Sequence, residues 1–339
     1  MAYGIWCQPV GPGPAAPASL FIDSNLTFPQ YLGAYSISPS WSARNASFNV
    51  GSFDGQGELL IVPTSRLIQD YYVGTDLMPS FSYVTGIGTS GQTVNINIEP
   101  AGASGNNNRN FPMSFQAYKL WPRGNRSYGI TFSNSADFFS ISDSGVVGQC
   151  VWAYRGAVGD GFTVPNAGPN ALVFANWNQG GVCASYNASN GQMIITHNRS
   201  NQSGSNRGAV INDMRIAVFA SGVGVPEHNG GLNIYSPGTT TCVFSTYRTP
   251  FAISRFFPSS GGGTGLGIPM MCMNVTNGAI TAQGGGWMWV HERSHTMSGT
   301  SVGTGFGPLV ANWTDQYPIN VNINLGFNYP MLEGSLIYA

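Results

Sequence analysis

Thr93-Val94-Asn95-Ile96-Asn97-Ile98 alternates apolar and polar residues without a break, and Phe81-Ser82-Tyr83-Val84 stands before it across Gly86-Ile87-Gly88-Thr89-Ser90-Gly91. A period of two places Val94, Ile96 and Ile98 on one face of a half-buried strand. Glycine supplies the positive φ that tight hairpin turns require. The segment therefore predicts an antiparallel hairpin. The glycines also match GxGxxG, but a dinucleotide fingerprint needs a helix after its loop. Residues 93–98 read as a strand, so no cofactor is expected.

The same grammar recurs along the chain. Ala2-Tyr3-Gly4-Ile5 returns as Ser127-Tyr128-Gly129-Ile130, followed by Leu20-Phe21-Ile22-Asp23-Ser24 in one copy and Phe138-Phe139-Ser140-Ile141-Ser142 in the other. Later copies lead from Gly181 through Asn190-Gly191 into Met193-Ile194-Ile195-Thr196, and from Gly231 through Pro237-Gly238 into Cys242-Val243-Phe244-Ser245. Two more lead from Gly278 through Gly284-Gly285-Gly286 into Trp287-Met288-Trp289-Val290, and from Gly326 through Glu333-Gly334 into Ser335-Leu336-Ile337-Tyr338. The anchoring glycines at 129, 181, 231, 278 and 326 are spaced by 52, 50, 47 and 48 residues. A strand precedes most of them, as in Ala171-Leu172-Val173-Phe174-Ala175 and Met270-Met271-Cys272-Met273. Each unit reads as strand, turn, hairpin and variable loop.

The expected fold is all-β: repeated antiparallel hairpin modules, sandwich-like or propeller-like, with few or no long helices. Two regions are expected, an N-terminal β domain over 1–120 and a β-repeat region over 121–339. The Pro-rich stretch 9–17 reads as an extended linker, and 106–108, 200–208 and 259–267 read as exposed loops.

Composition narrows the function. Of 339 residues only 8% are charged, and the net charge is −1. An average soluble protein carries about 25% charged residues. The surface must be built from Ser, Thr, Asn, Gln and Gly, which suits neutral partners such as glycans or other subunits. No basic stripe exists, so no nucleic-acid partner is expected. The 46 Gly and 21 Pro leave little room for long helices. The opening Met1-Ala2-Tyr3-Gly4-Ile5-Trp6 lacks the basic and apolar regions of a signal peptide, and no apolar run approaches the ~20 residues of a membrane span. Export by the general pathway and membrane insertion are not expected. Cys7, Cys150, Cys183, Cys242 and Cys272 are odd in number and irregular in spacing, and read as buried free thiols of a reducing compartment.

His291-Glu292-Arg293-Ser294-His295 matches HExxH, which on a helix aims two His at one zinc with Glu as general base. Here it follows Gly284-Gly285-Gly286 and a strand-like Trp287-Met288-Trp289-Val290. On a strand the two His stand roughly 13 Å apart at ~3.3 Å per residue. They could not share an ion. Ser298 and Ser301 also break the longer zinc pattern, and Glu333 is the downstream carboxylate that could complete a ligand set. His291, His295 and Glu333 remain metal candidates, with an exposed polar strand end as the plain alternative. Asp137, Asp143, Asp160, Asp213 and Glu227 could supply a glycosidase pair, though no particular pair is specified. His197 and His228 are lone histidines, and GxSxG and P-loop motifs are absent. Asn-x-Ser/Thr triplets at Asn25, Asn45, Asn187, Asn198 and Asn312 follow from the Asn/Ser-rich composition. No catalytic residue or cofactor is expected. Trp41, Trp121, Trp177 and Trp313 lie near predicted loops and could stack on sugar rings, although a place in the core is the favoured reading.

The Met1-Ala2-Tyr3-Gly4 start, Ile22-Asp23-Ser24, and Tyr128-Gly129-Ile130 followed by Ser135-Ala136-Asp137 resemble short β modules in tail-tip proteins of tailed bacteriophages. The resemblance covers three short stretches. It implies a virion structural protein at the distal tail or baseplate, in contact with other tail proteins and with a host receptor or glycan. It also implies a homo-oligomer, with a trimer favoured, made in the bacterial cytoplasm. No catalytic residues carry over. The alternatives are a capsid or other virion decoration protein, a zinc-dependent or glycan-active hydrolase, and a secreted lectin.

Overall fold

The computed structural model describes residues 4–7, 20–23, 26–71, 79–102, 109–120, 146–168, 170–199, 206–222, 224–225, 232–236, 238–258, 260–274, 278–314, 316, 322–325 and 328–338. Among these, the strands pair antiparallel throughout, and the helical content is one 3₁₀ turn, Gly334–Leu336. The all-β expectation holds.

Four sheets form the body. Sheet I has Met113–Leu120 between Gln30–Ile37 and Glu58–Pro63. Sheet II runs Asn45–Asn49, Thr93–Gly102, Ser80–Ser90, Ile68–Tyr71. Its central pair is the hairpin predicted from the 81–98 pattern, but residues 86–90, expected as its loop, continue the strand, and the turn is confined to Gly91-Gln92, where Gly91 has φ +57°. Sheet III is built on Trp287–Ser298, with Ser301–Thr314 along one edge. Its other strands are Gln192–His197, Val182–Asn187, Gly278–Gly284, Asn322–Asn324 and Gly262–Gly263. Sheet IV runs Gln149–Gly159, Val210–Ala220, Ala171–Trp177, Pro269–Cys272, Asn328–Glu333, Arg255–Pro258. Two small hairpins pair outside these sheets: Gly4–Cys7 with Leu20–Asp23, and Asn233–Tyr235 with Cys242–Ser245, the second packed on the sheet IV core through Phe244.

The sheets close into a propeller-like ring of four because each packs against two others. The strand Met113–Leu120 shows how. Met113, Phe115 and Ala117 share a core with Val84, Val94, Ile96 and Ile98 of sheet II. Tyr118 and Leu120, on the opposite face, pack with Phe174, Phe219 and Phe251 on the sheet IV side. The Tyr118 and Phe251 rings meet edge-on at 5.7 Å. Ile68, Phe81 and Tyr83 of sheet II meet Met288, Val290, Ala311 and Trp313 of sheet III. Val182, Ala184, Met193 and Ile195 of sheet III join the sheet IV core and complete the circuit. Double-sided burial explains why Ala171–Trp177 is buried at every position and reads as a continuous apolar run rather than an alternating one.

The hairpins predicted at Gly181 and Gly278 are present, as Val182–Asn187 with Gln192–His197 and Gly278–Gly284 with Trp287–Ser298. They are not separate blades. The strand before each anchor, Ala171–Trp177 or Pro269–Cys272, belongs to sheet IV, while the hairpin after it belongs to sheet III. The repeat thus marks a chain that alternates between two facing sheets. The strand expected at 335–338 is instead the 3₁₀ turn, because the Glu333 carboxylate accepts hydrogen bonds from the backbone N–H groups of Gly267, Ile268 and Ser335 and turns the chain. The Pro-rich stretch 9–17, the repeat copy at 127–142 and the anchors Gly129, Gly231 and Gly326 lie outside the described residues.

Candidate functional site

The long strand Trp287–Ser298 organises the site. On one side it pairs with Ser301–Thr314 along its length. On the other it pairs first with Gly278–Gly284, from Trp287 to Glu292, and then with Val182–Asn187 at the single register Ala184↔His295. Two strands therefore share one edge in tandem, and the change-over falls at Arg293-Ser294. β-Bulges at Val290/His291 and His291/Arg293 on the opposite side twist the strand at the same level.

A cleft of about 400 Å³ opens beside this change-over. One wall is the connection between sheets I and II, with Thr64, Ser65, Arg66 and Gln69, together with Pro112 and Ser114. The other comprises Ser185, Tyr186, Asn187, Ala188, Ser189, Ile194 and Asn274. Glu292 of sheet III reaches it and ion-pairs with Arg66. Burial works against the Arg66 charge, but the adjoining Glu292 carboxylate outweighs it and holds the guanidinium more firmly protonated than usual. Desolvation raises the nearby Asp70 carboxyl, partly opposed by Arg66.

Several cleft residues are committed to the fold. Asn274 accepts from the Val173 N–H at 2.7 Å and donates to the Ala171 carbonyl at 3.0 Å. Ser65 Oγ accepts from the Ser114 N–H at 2.8 Å. Asn187 Oδ1 accepts from Ser189, which forms the turn. Ser185 differs: it is 1% exposed, lines the cleft, and its Oγ has no hydrogen-bond partner among the described residues.

HExxH lies on a strand, but it is not an exposed strand end as one alternative had it. His291, Glu292 and His295 are all buried in the middle of sheet III. Their side chains do not converge. His291 Nδ1 donates to the Gly307 carbonyl at 3.1 Å and its ring meets Phe306 edge-on. Glu292 turns to Arg66. The His295 ring stands edge-on to Tyr329 at 5.0 Å. Burial lowers the His291 pKa, opposed by the Gly307 bond. Glu333 is occupied in the turn described above. Among the described residues, no three His, Cys, Asp or Glu side chains gather as metal ligands do.

Of the two readings of the tryptophans, sugar stacking is overturned and the core reading holds for the three described. Trp41, Trp177 and Trp313 are core residues with 5%, 0% and 2% exposure, so none presents a face to a sugar. They are drawn inward because the ring has apolar cores on several faces to fill, which proximity to a loop in sequence does not reveal. Trp121 lies outside the described residues. Trp287, at the tip of its hairpin, is 43% exposed. Of the carboxylates weighed for a glycosidase, Asp160 is paired with Arg207 and Asp213 with Arg155, each at 2.8 Å. Asp137, Asp143, Glu227 and His228 lie outside the described residues. Cys150, Cys183, Cys242 and Cys272 are buried and free, as read from their spacing.

Arg66, Ser185 and Glu292 as a cleft constellation were not legible in sequence. The one local hint is the polar run Thr64-Ser65-Arg66 directly after an apolar strand.

A family model matches residues 4–315, which spans all four sheets but stops short of the strand Asn328–Glu333. The chain belongs to the family of unknown function DUF6453. No curated protein and no solved structure matches it. Membership in the family thus extends over the cleft and the HExxH strand alike. Among the described residues, no helix is long and apolar enough to cross a membrane.

Proposed function

We propose that this chain is a non-catalytic structural protein of a tailed bacteriophage, carried at the distal tail or baseplate and contributing to host attachment. The observation that supports this most is the ring itself. Four sheets packed face against face around shared cores make a stiff body, and a chain with 8% charged residues favours neutral partners over ionic ones. The resemblance of Tyr3-Gly4-Ile5 and Tyr128-Gly129-Ile130 to tail-tip modules points the same way. The Gly4–Cys7 hairpin pairs only with Leu20–Asp23 among the described residues, which suits a segment that joins a neighbouring virion protein.

The partners under this reading are other tail proteins, further copies of the chain in a trimer, and a host receptor or glycan. Outer strands such as Gln149–Gly159 and Asn45–Asn49 offer edges for subunit contacts. A hydrolase is disfavoured because His291, Glu292 and His295 face three different environments.

Antibody labelling of assembled particles tests the placement. Label at the tail tip is expected; label confined to the capsid would replace this reading with a decoration role. Light scattering of the purified chain tests the trimer, and a monomer at all concentrations would sink it.

A further inference from the structure

The cleft combines two chemistries that rarely meet by accident. Pro112, Ala188 and Ile194 supply apolar surface, while hydroxyls and an ion pair supply polar groups. The ion pair engages Arg66 through Nε and Glu292 through Oε1. The terminal guanidinium nitrogens and Oε2 have no hydrogen-bond partner among the described residues. Donor and acceptor thus lie side by side, and with the Asp70 carboxyl also near Arg66 the site has no excess of positive charge. Ser185 adds a buried hydroxyl with no partner among the described residues, and a buried polar group left unpaired is costly unless something satisfies it.

We propose that this cleft binds a neutral saccharide. Adjacent ring hydroxyls each donate and accept, and match the Arg66 nitrogens, the free Glu292 oxygen and Ser185 Oγ. The less polar face of the sugar lies on Pro112, Ala188 and Ile194. The volume of about 400 Å³ suits a short saccharide, since small-ligand sites span roughly 300–1,000 Å³. The site disfavours an acidic sugar, because Glu292 and the nearby Asp70 would repel a ligand carboxylate. The proposal deepens the attachment reading and rests on it for its biological sense.

The test uses the full chain on an array of glucose, galactose, rhamnose and N-acetylhexosamine oligomers, with uronic-acid oligomers as the charged arm. Binding to at least one neutral oligomer is expected, above any uronic-acid binding. Ser185→Ala should weaken it about three- to tenfold, the worth of one hydrogen bond. Ala188→Trp, which fills the cleft from its rim, should abolish it. Should Ala188→Trp fail to fold, Ser185→Ala still decides. No binding to any neutral oligomer, preference for uronic acids, or unchanged binding in both variants would overturn the proposal. Particle labelling separates the two readings. Tail label with saccharide binding that ignores both variants sinks the cleft alone. Capsid label with binding lost in the variants sinks the tail placement and keeps the cleft.

Discussion

Arg66 and Glu292, 226 positions apart in sequence, form an ion pair in which the carboxylate side chain is 3% exposed and the guanidinium side chain 45%. It ties the connection between sheets I and II to the central strand of sheet III.

Arg66→Ala leaves the Glu292 carboxylate buried without its counter-charge. Breaking a fully buried pair costs about 3–5 kcal/mol, and water reaching the half-exposed Arg66 side reduces this to about 1–3 kcal/mol. Adding Glu292→Gln should recover part of the loss by removing the stranded charge. Urea denaturation of the single and double variants measures both. A single variant within about 0.5 kcal/mol of the parent would show that the pair is not structural.

Trp177→Ala should cost about 3–5 kcal/mol, as expected for emptying a fully buried indole site. Trp287→Ala, at the exposed hairpin tip, should stay within about 0.5 kcal/mol. Thermal melts of the two variants check the contrast. Equal effects would contradict the burial assigned to them.

Gly278 has φ +105°, and a Cβ there would run into the Ile323 carbonyl oxygen. Gly278→Ala should therefore cost about 2 kcal/mol or more. Gly181 has φ +73° but open space around it, so Gly181→Ala should cost only the left-handed strain, about 1–2 kcal/mol. A reversed order in chemical denaturation would mean the Gly278 turn relaxes.

His291 has a pKa lowered in the fold by burial. The unfolded chain then binds the proton first as pH falls, so this contribution to stability is present above the unfolded value of about 6.5 and is lost as pH drops through the folded value. The denaturation midpoint should be lower at pH 5 than at pH 7.5. His291→Gln should show a smaller difference between the two pH values, whatever its absolute stability. An unchanged difference would assign the pH dependence elsewhere.

Burial pushes the Cys150 and Cys183 thiols up to about 12. Thiolate is the reactive form, so both should resist iodoacetamide at pH 8 in the native protein and react once it is unfolded. Peptide mass mapping after pulsed labelling reads each site. Rapid native labelling of either would contradict its burial.

Much of the fold was legible because its signals are local. The alternation at 93–98 and the glycine at 91 specify a hairpin wherever it packs. The Asn190-Gly191 and Gly285-Gly286 turns carry positive φ at Gly191, Gly285 and Gly286, which the residue type announces. The strand reading of HExxH follows from the same hairpin register, which spaces the two His too widely to share one ion.

What those signals could not decide was partnership. Strand-forming residues do not state which sheet they join, and Ala171–Trp177 and Val182–Asn187, close in sequence, belong to different sheets. Nor does an aromatic near a turn state which way it faces, so Trp41, Trp177 and Trp313 went to the core once the ring supplied apolar surfaces on several sides. The cleft is wholly a product of closure. Arg66 and Ser185 are unremarkable where they stand in the chain, Glu292 stands out only as part of HExxH, and long-range packing alone brings the three together.

The sequence by itself determined that this chain is an antiparallel β protein of hairpins with a weakly charged surface, because turn chemistry, period and composition act over a few residues. The tertiary structure alone decided that the hairpins close into a ring of four sheets, that the HExxH strand is buried, and that Arg66, Glu292 and Ser185 meet at a cleft, because burial and ion pairing depend on which distant surfaces are brought into contact.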